Sequence, residues 1–394
     1  MSKEIIRGIR DRRVVEPQIS HTLLSRETMR HQLGSVAGMV YHVGSDPSPV
    51  EEGFRKIVIP EAERFGFVSW LQRGDSSTGM VVSPYYHPDL GLTLDEKGKI
   101  QLNDTNDKLL ETLTGAEGMD FHLDAAPGWY YLLNNFKQMP PITVLKTQIA
   151  SPTCSSSFLS DSAFPWHEAI NSALVKGHLL NARKLSKVVI VSVDDPNSFS
   201  IETLRANFEI MFDDKFDGNN RLVEEGEQVM RAIHCCGDWS VLEVMATGAV
   251  DVVHYDTWQY GEAPIIGQPQ ILSDYLLKGG LIAWGGIPQN FQYLSELANK
   301  LSLPSITINS LKDYEGFAQI LEDKRKEAAD LIFKRYSHWF NKVSLEAGID
   351  MRTLARKVFI SATCGYGTNL SPSLRDFSYK LARDVADLTL RLAR

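Results

Sequence analysis

The stretch VMRAIHCCGDWSVLEVMATGAVDVVHYD, residues 229–256, predicts the fold of this chain. It contains two apolar, β-branched runs, VMRAIHCC (229–236) and VDVVHYD (250–256), separated by a helix-length segment, Trp239–Thr247. A strand that leads through a helix to another strand is the repeating unit of parallel sheets. The stretch therefore predicts a parallel sheet covered by helices.

The same pattern recurs along the chain and gives eight predicted strands. The other six are AGMVYHVG (37–44), GFVSWLQ (66–72), ITVLKTQI (142–149), KVVIVSVD (187–194), GGLIAWGG (279–286) and KVFISATC (357–364). A doubly wound sheet shows the same alternation. We favour a (β/α)8 barrel because polar residues gather where the runs end, and barrel active sites are built from those carboxyl-terminal strand ends.

The remaining segments are predicted to decorate the barrel. Residues 1–36 form an N-terminal arm with a helix around Ser25–Leu33, and residues 37–394 form the barrel itself. An insertion at 82–140 follows the second strand. It contains LGLTLDEKGKIQL, which is typical of a β-hairpin, and then a polar helix near Asn106–Leu113. A further helical stretch, 311–345, precedes the last strand.

Composition limits the classes of function. The chain has 394 residues, 43% of them hydrophobic and 23% charged, which is enough for a large core. The net charge is -8, and no basic run capable of tracking a phosphate backbone is present, so nucleic acid is not an expected partner. We find no run of about 18 apolar residues and no apolar leader core, so we expect a cytoplasmic protein with no membrane partner.

Three of the four cysteines lie at predicted strand ends. His234 and Cys236 are two residues apart, and the period of two in a strand places both side chains on one face. Cys235 then points the other way, into the helix layer, as a packing residue. Cys364 ends the eighth strand and is followed by glycine. Cys154, in the loop-like SPTCSSS, is interpreted as structural.

His234, Cys236 and Cys364 together predict a zinc site at the barrel mouth. Catalytic zinc sites hold three protein ligands and leave the fourth position open. A thiol that binds there loses its proton, because coordination stabilises the thiolate, whereas the pKa of a free cysteine thiol is about 8.5. The alternative is a buried histidine beside two core cysteines.

Carboxylates at other strand ends have two possible roles. Asp256 is a candidate fourth zinc ligand or a helix N-cap, and His254, on the same face, is a candidate to hold a ligand in place. Asp75 and Asp194 are candidates to bind an amino group of a small substrate, or to cap the helices that follow.

A series of short motifs across residues 37–394 resembles the catalytic barrel of cobalamin-independent methionine synthase and the related uroporphyrinogen decarboxylase-like methyltransferases. HVGSDPSP (42–49) is similar to the family's Ile-Gly-Ser-Phe-Pro, RGDSSTGMV (73–81) to its segment ending in Asp-Met-Val, and VDDP (193–196) to Ile-Asp-Glu-Pro. HCC (234–236) stands at its His-x-Cys zinc pair and TCGYG (363–367) at its Asp-Cys-Gly motif.

The resemblance implies a role for each matched residue. Ser45, Asp75 and Asp194 would contact the amino-acid part of the acceptor, and Asp256 would stand at the position of the family's glutamate ligand. Asp75 and Asp256 are each one methylene shorter than the glutamates they replace.

The expected activity is zinc-dependent transfer of a methyl group to a small thiol, homocysteine first, to give methionine. HCCGDWSVLEVMATGAVDVV also resembles methylcobamide:coenzyme M methyltransferases, so coenzyme M is the alternative acceptor. The expected donor is a methyl-folate or a methyl-corrinoid protein, with the aromatic residues Tyr85, Tyr86 and 129–131 as a docking wall. Two other hypotheses for the function are a cofactor-free decarboxylase of the uroporphyrinogen type and a non-catalytic corrinoid or thiol carrier partner with a closed, structural metal site.

Overall fold

The computed structural model describes residues 35–42, 50–69, 85–103, 107–115, 117–194, 201–212, 228–235, 241–304, 310–364 and 371–394. The predicted arm helix at 25–33 lies outside these ranges. Three predicted site residues, Ser45, Asp75 and Cys236, also lie outside the described residues. The division into arm and barrel at residue 36 therefore remains a prediction.

All eight predicted strands are present and parallel. The ten strands of the described residues are β1 (Val40–Tyr41), β2 (Phe67–Ser69), β3 (Leu92–Leu94), β4 (Ile100–Leu102), β5 (Val144–Ala150), β6 (Val188–Asp194), β7 (Gln228–Cys235), β8 (Val252–Asp256), β9 (Leu281–Ile287) and β10 (Val358–Ala362). Eight of them form one sheet in the order β1-β10-β9-β8-β7-β6-β5-β2. This order, with helices outside, confirms the predicted (β/α)8 barrel.

The two strands at the ends of that order meet through side-chain hydrogen bonds. The Ser69 Oγ accepts from the backbone nitrogen of His42 at 2.8 Å and donates back to the His42 carbonyl at 3.2 Å. Phe67 of β2 and Phe359 of β10 stack in the interior with ring centroids 5.4 Å apart. The barrel is therefore nearly closed between β1 and β2.

Helices surround the sheet. The α-helices within the described residues are Val50–Gly53, Ile59–Phe65, Asp107–Thr114, Pro127–Asn135, Pro152–Ser156, His167–Leu185, Ile201–Phe212, Val241–Thr247, Thr257–Tyr260, Pro269–Leu277, Phe291–Lys300, Leu311–Asp323, Arg325–Ala347, Met351–Ala355 and Pro372–Ala393. A π-helical turn, Phe54–Val58, joins the first two. No helix of the described part of the chain is long and apolar enough to cross a bilayer.

The alternation of the strands divides the buried residues into two layers. One cluster fills the barrel and includes Ile190, Met230, Ala232 and Val252. The other lies between strands and helices and includes Cys235, which is fully buried. The prediction that Cys235 faces the helix layer is confirmed, and by the same period of two the side chains of residues 234 and 254 face the barrel interior.

The insertion after β2 has the predicted elements. β3 and β4 form an antiparallel hairpin, and the polar helix spans Asp107–Thr114. A buried polar cluster holds the insertion to the barrel. Asp120 accepts hydrogen bonds from Trp129 Nε1 at 2.7 Å and Asn181 at 2.6 Å and pairs with His178 at 2.8 Å. His178 in turn bonds Thr147 of β5 at 2.6 Å, so these residues anchor the insertion to the outside of the barrel.

The structure differs from the sequence-based expectation at two places. Cys154 lies in a short helix, Pro152–Ser156, and not in a loop, because Ser151 caps the helix by accepting from the backbone nitrogen of Cys154 at 3.0 Å. Tyr85 and Trp129 were expected in a docking wall, but both are fully buried in the core. Of that expected wall, only Tyr86, Tyr130 and Tyr131 are half-buried.

Candidate functional site

Polar side chains occupy the carboxyl-terminal end of the barrel, where the sequence analysis expects a site. In the sheet, Asp194 of β6 pairs with His234 of β7, and His234 pairs with His254 of β8. All three side chains are at least 95% buried. The strand register therefore places one carboxylate and two imidazoles side by side at one level of the barrel.

A chain of hydrogen bonds joins the two histidines to the last strand. The Nε2 of His254 lies 2.9 Å from the carbonyl oxygen of Ala362, and the Nδ1 of His254 bonds the Nδ1 of His234. Ala362 ends β10 and lies two residues before Cys364. His254 thus connects the end of β10 to His234 across the mouth of the barrel.

The groups that form these hydrogen bonds determine which ring nitrogen of each histidine carries the proton. A carbonyl only accepts, so His254 donates from Nε2 and, when neutral, accepts at Nδ1. Burial lowers the pKa of His254 to about 3, and burial and the neighbouring His254 also lower the pKa of His234 well below its usual range, so both rings are neutral at pH 7. His234 then donates from Nδ1, so the lone pair of its neutral ring is on Nε2.

A glycine makes room for this arrangement. A Cβ on Gly285 of β9 would lie 2.9 Å from His254 Nε2 and 2.3 Å from the backbone oxygen of Tyr255. Contacts below 3 Å require something to shift, and backbone does so at high cost. Gly285 therefore lets the His254 ring reach Ala362.

Cys364 follows β10 and is half-buried, in contrast to the fully buried Cys235. The preceding residue, Thr363, donates from its backbone nitrogen to Ile287 at 3.0 Å, which fixes the end of β10 against β9. The partial exposure of Cys364 is compatible with a ligand position at the barrel mouth.

The charges of Asp194 and Lys146 attract each other in the barrel interior. Ser192 donates to Asp194 at 3.0 Å. Lys146 of β5 is fully buried and donates to the His42 carbonyl at 2.8 Å and to Gln148 at 2.5 Å. Burial lowers the pKa of Lys146 to about 8, and the charge of Asp194 opposes that shift.

Lys146 did not emerge from the sequence analysis as a site residue. The signal available was a single charged residue inside the otherwise apolar run ITVLKTQI, at a position that alternation assigns to the barrel interior. Charged residues are rarely buried without partners, so an interior lysine indicates a polar environment inside the barrel.

Asp256 caps a helix, which is one of the two roles predicted for it from the sequence. Its Oδ1 accepts from the backbone nitrogen of Gln259 at 3.0 Å, at the start of the helix Thr257–Tyr260, and its Oδ2 accepts from Tyr293 at 2.9 Å. Burial raises its pKa. A carboxylate has about four lone-pair positions, so capping leaves acceptor capacity, and zinc ligation by Asp256 remains a prediction.

The structure describes two of the three predicted zinc ligands. His234 and Cys364 are placed, whereas Cys236 lies outside the described residues, and these contain no cluster of three histidine, cysteine or acidic side chains able to hold a metal. The donor set nevertheless fits zinc, since a neutral imidazole with a defined tautomer and thiolates are ligands that it prefers.

The ring of His42, at the end of β1, is buried, and this burial is expected to make the free energy of unfolding depend on pH. Burial, with the charges of Arg383 and Lys146, lowers the pKa of His42 to about 3. Below the unfolded value of about 6.5, the unfolded chain binds a proton that the folded chain does not, so stability falls as pH falls. Protonation of this residue in the unfolded chain lowers the free energy of unfolding by about 1.4 kcal/mol for each pH unit below about 6.5.

We expect His42→Phe to reduce this acid sensitivity. The difference in unfolding free energy between about pH 7.5 and pH 5, measured by urea titration, is expected to be about 2 kcal/mol smaller in the variant. The backbone bonds of His42 to Ser69 and Lys146 do not involve its ring and are retained. An identical pH dependence in both proteins would show that His42 is protonated in the folded state.

The strand order and the polar mouth define a parallel β/α barrel with a buried carboxylate–imidazole site at its carboxyl-terminal end. No protein-family model matches the chain, and no curated protein matches it. Among solved structures, it is similar to a B12-independent methionine synthase from Shewanella sp. W3-18-1 in complex with selenomethionine, with 13% identity and a TM-score of 0.36 over 66% of this chain and 67% of that one.

A methyltransferase from Methanosarcina mazei is also similar, with 12% identity and a TM-score of 0.41 over 92% of this chain and 98% of that one. The class of the fold rests on the strand order described above.

Proposed function

We propose that this protein is a zinc-dependent methyltransferase that moves a methyl group to a small thiol, with homocysteine as the first acceptor to test. The observation that carries the proposal is the hydrogen-bond chain from Ala362 through His254 to His234. A metal-ligating histidine usually donates its other ring nitrogen to a fixed partner, and His254 is such a partner for His234.

The proposed ligands are His234 through Nε2, Cys236 and Cys364, with Asp256 as the candidate for the fourth position. Cys236 is the next residue in the sequence after β7, in which Cys235 is the last residue, and the sequence pattern predicts that Cys236 lies on the side of His234. The two thiolates balance the charge of Zn²⁺. When bound, zinc supplies Lewis acidity that favours the deprotonated form of a thiol at its open position.

The chain's own residues orient the acceptor. Asp194 lies one strand away from His234 and is proposed to accept hydrogen bonds from an amino group of the substrate. Ser45 and Asp75 are proposed to complete this contact, in keeping with the resemblance of their motifs. Asp256, which Tyr293 and the helix backbone hold in place, would be the fourth residue to hold zinc when no thiol is bound.

The methyl transfer is proposed as a direct displacement. A lone pair of the acceptor sulfur forms the new bond to the methyl carbon, and the bond from that carbon to the donor breaks, with its electron pair leaving on the donor. A methyl-corrinoid protein or a methyl-folate is the proposed donor class. The buried site restricts water, which would otherwise solvate the nucleophile.

The metal content of the purified protein tests the proposal. We expect about one zinc ion per chain by plasma mass spectrometry. X-ray absorption at the zinc edge should show about one additional sulfur neighbour after homocysteine is added, and proton release should accompany the change. Coenzyme M in place of homocysteine tests the alternative acceptor.

Two results would contradict the proposal. Protein that is free of metal and has intact thiols would favour the decarboxylase interpretation, which does not need these cysteines. Zinc whose coordination does not respond to either thiol would indicate a closed, structural metal site.

A further inference from the structure

A cavity of about 330 Å³ lies outside the barrel wall, between the end of β8 and the long helix Arg325–Ala347. Its lining has an apolar wall and a charged rim. The residues that line it include Thr257, Trp284, Leu331, Lys334 and His338. None of these residues belongs to the metal site described above.

Two buried hydrogen-bond donors in this lining have no partner among the described residues. They are the hydroxyl of Thr257 and the Nε1 of Trp284, whose residues are 3% and 2% exposed. An indole nitrogen only donates, and a buried donor without a partner is unfavourable because it loses the hydrogen bond that it makes to water in the unfolded chain. Because both residues line the cavity, we consider an acceptor bound there as their partner.

The charges at the rim favour an anionic acceptor. The two cations are Lys334, which is exposed, and Arg335, which is half-buried and held over the Trp258 ring at 4.1 Å, and the exposed imidazole of His338 adds a hydrogen-bonding group. The acidic residue in the lining, Glu262, is paired with Lys342, and that hydrogen bond lowers its pKa. The rim therefore presents cationic groups to a ligand, while the charge of Glu262 is matched.

We infer that this cavity binds a small organic anion, with a carboxylate or phosphate group held by Thr257, Trp284 and the cations and with an aromatic or apolar body against Leu331 and Trp339. A volume of about 300 Å³ is at the lower end of small-molecule sites. Trp284 also contacts Trp339, with ring centroids 6.4 Å apart, so the wall is continuous and aromatic.

Thr257 directly follows Asp256, and Arg335 donates to the backbone oxygen of Trp258 at 3.0 Å. The cavity thus shares the short helix Thr257–Tyr260 with the capping carboxylate of the barrel mouth. The binding inference itself does not depend on the proposed methyl transfer, because the test reads binding directly.

The indole resonance of Trp284 provides the test. In protein labelled with ¹⁵N-tryptophan, Trp284→Phe assigns the resonance, and inorganic phosphate, phenyl phosphate and phenylacetate are titrated separately. We expect a downfield shift of the Trp284 indole proton with at least one probe. Saturation with phenyl phosphate but not phenylacetate would identify a phosphate group, and the reverse a carboxylate.

A double variant, Lys334→Gln with His338→Gln, is expected to weaken the binding of that probe at least tenfold while leaving the thermal midpoint unchanged, since both residues are exposed. Lys326→Gln, on the same helix and outside the cavity lining, is the matched control and should bind as the parent does. No shift of the Trp284 resonance with any probe at about 10 mM would overturn the inference, because it would mean that water alone satisfies these donors.

Discussion

Replacing Cys236 with alanine is expected to reduce bound zinc from about one ion per chain to less than about 0.1 and to lower turnover at least a thousandfold. The reason is that a three-ligand site that loses one thiolate loses both a bond and a compensating negative charge. Zinc by plasma mass spectrometry and methyl transfer from a methyl-corrinoid or methyl-folate donor to homocysteine are the measurements.

The neighbouring cysteine provides a matched control. Cys235 is fully buried in the layer between strands and helices, so Cys235→Ala removes a sulfur one residue away without touching the barrel interior. We expect a loss of about 1 kcal/mol in stability with zinc and turnover retained. Equal zinc loss in both variants would indicate that the metal signal reports folding and that the proposed ligand set is wrong.

Replacing His254 with phenylalanine is expected to lower zinc affinity by about 10–100-fold. Phenylalanine keeps the shape of a ring but cannot accept from His234 Nδ1 or donate to Ala362. The Nδ1 proton of His234 then has no fixed partner, and the ring loses its orientation and part of its basicity. Competition with a chelator of known affinity measures the effect.

His254→Gln is the conservative companion, because its amide oxygen is able to accept from His234. It should recover part of the lost affinity. A merely structural role for His254 would instead lower the thermal midpoint of the metal-free protein in both variants and leave zinc affinity unchanged. This contrast separates a positioning role from a packing role.

The sequence was informative about the barrel because periodicity is a local property. Each of the eight runs could be recognised from its own residues, and the described strands begin and end within three residues of the predicted bounds. The hairpin Leu92–Leu102 and the outward position of Cys235 likewise follow from alternation along a single strand. The ambiguity between a closed barrel and an open sheet was decided only by the strand order.

The candidate site was predicted less completely. Asp194, His234 and Cys364 were expected at strand ends, and register places Asp194 beside His234. Lys146 was missed because a lysine within a strand has no chemical signature until the opposing strands surround it. The burial of Tyr85 and Trp129 in the insertion was not predicted, because the sequence around each residue does not show which other residues pack over it.

The sequence by itself determined the eight strands, the face on which each side chain lies and the residue types available for a metal. Only the tertiary structure decided that Asp256 caps a helix, that His254 bonds both Ala362 and His234, and that two unpartnered donors meet a cationic rim beside the helix Arg325–Ala347. The physical reason is that strand pattern depends on neighbours in the chain, whereas hydrogen-bond partners and burial depend on residues that the fold brings together from distant positions, such as His254 and Ala362, which are 108 positions apart.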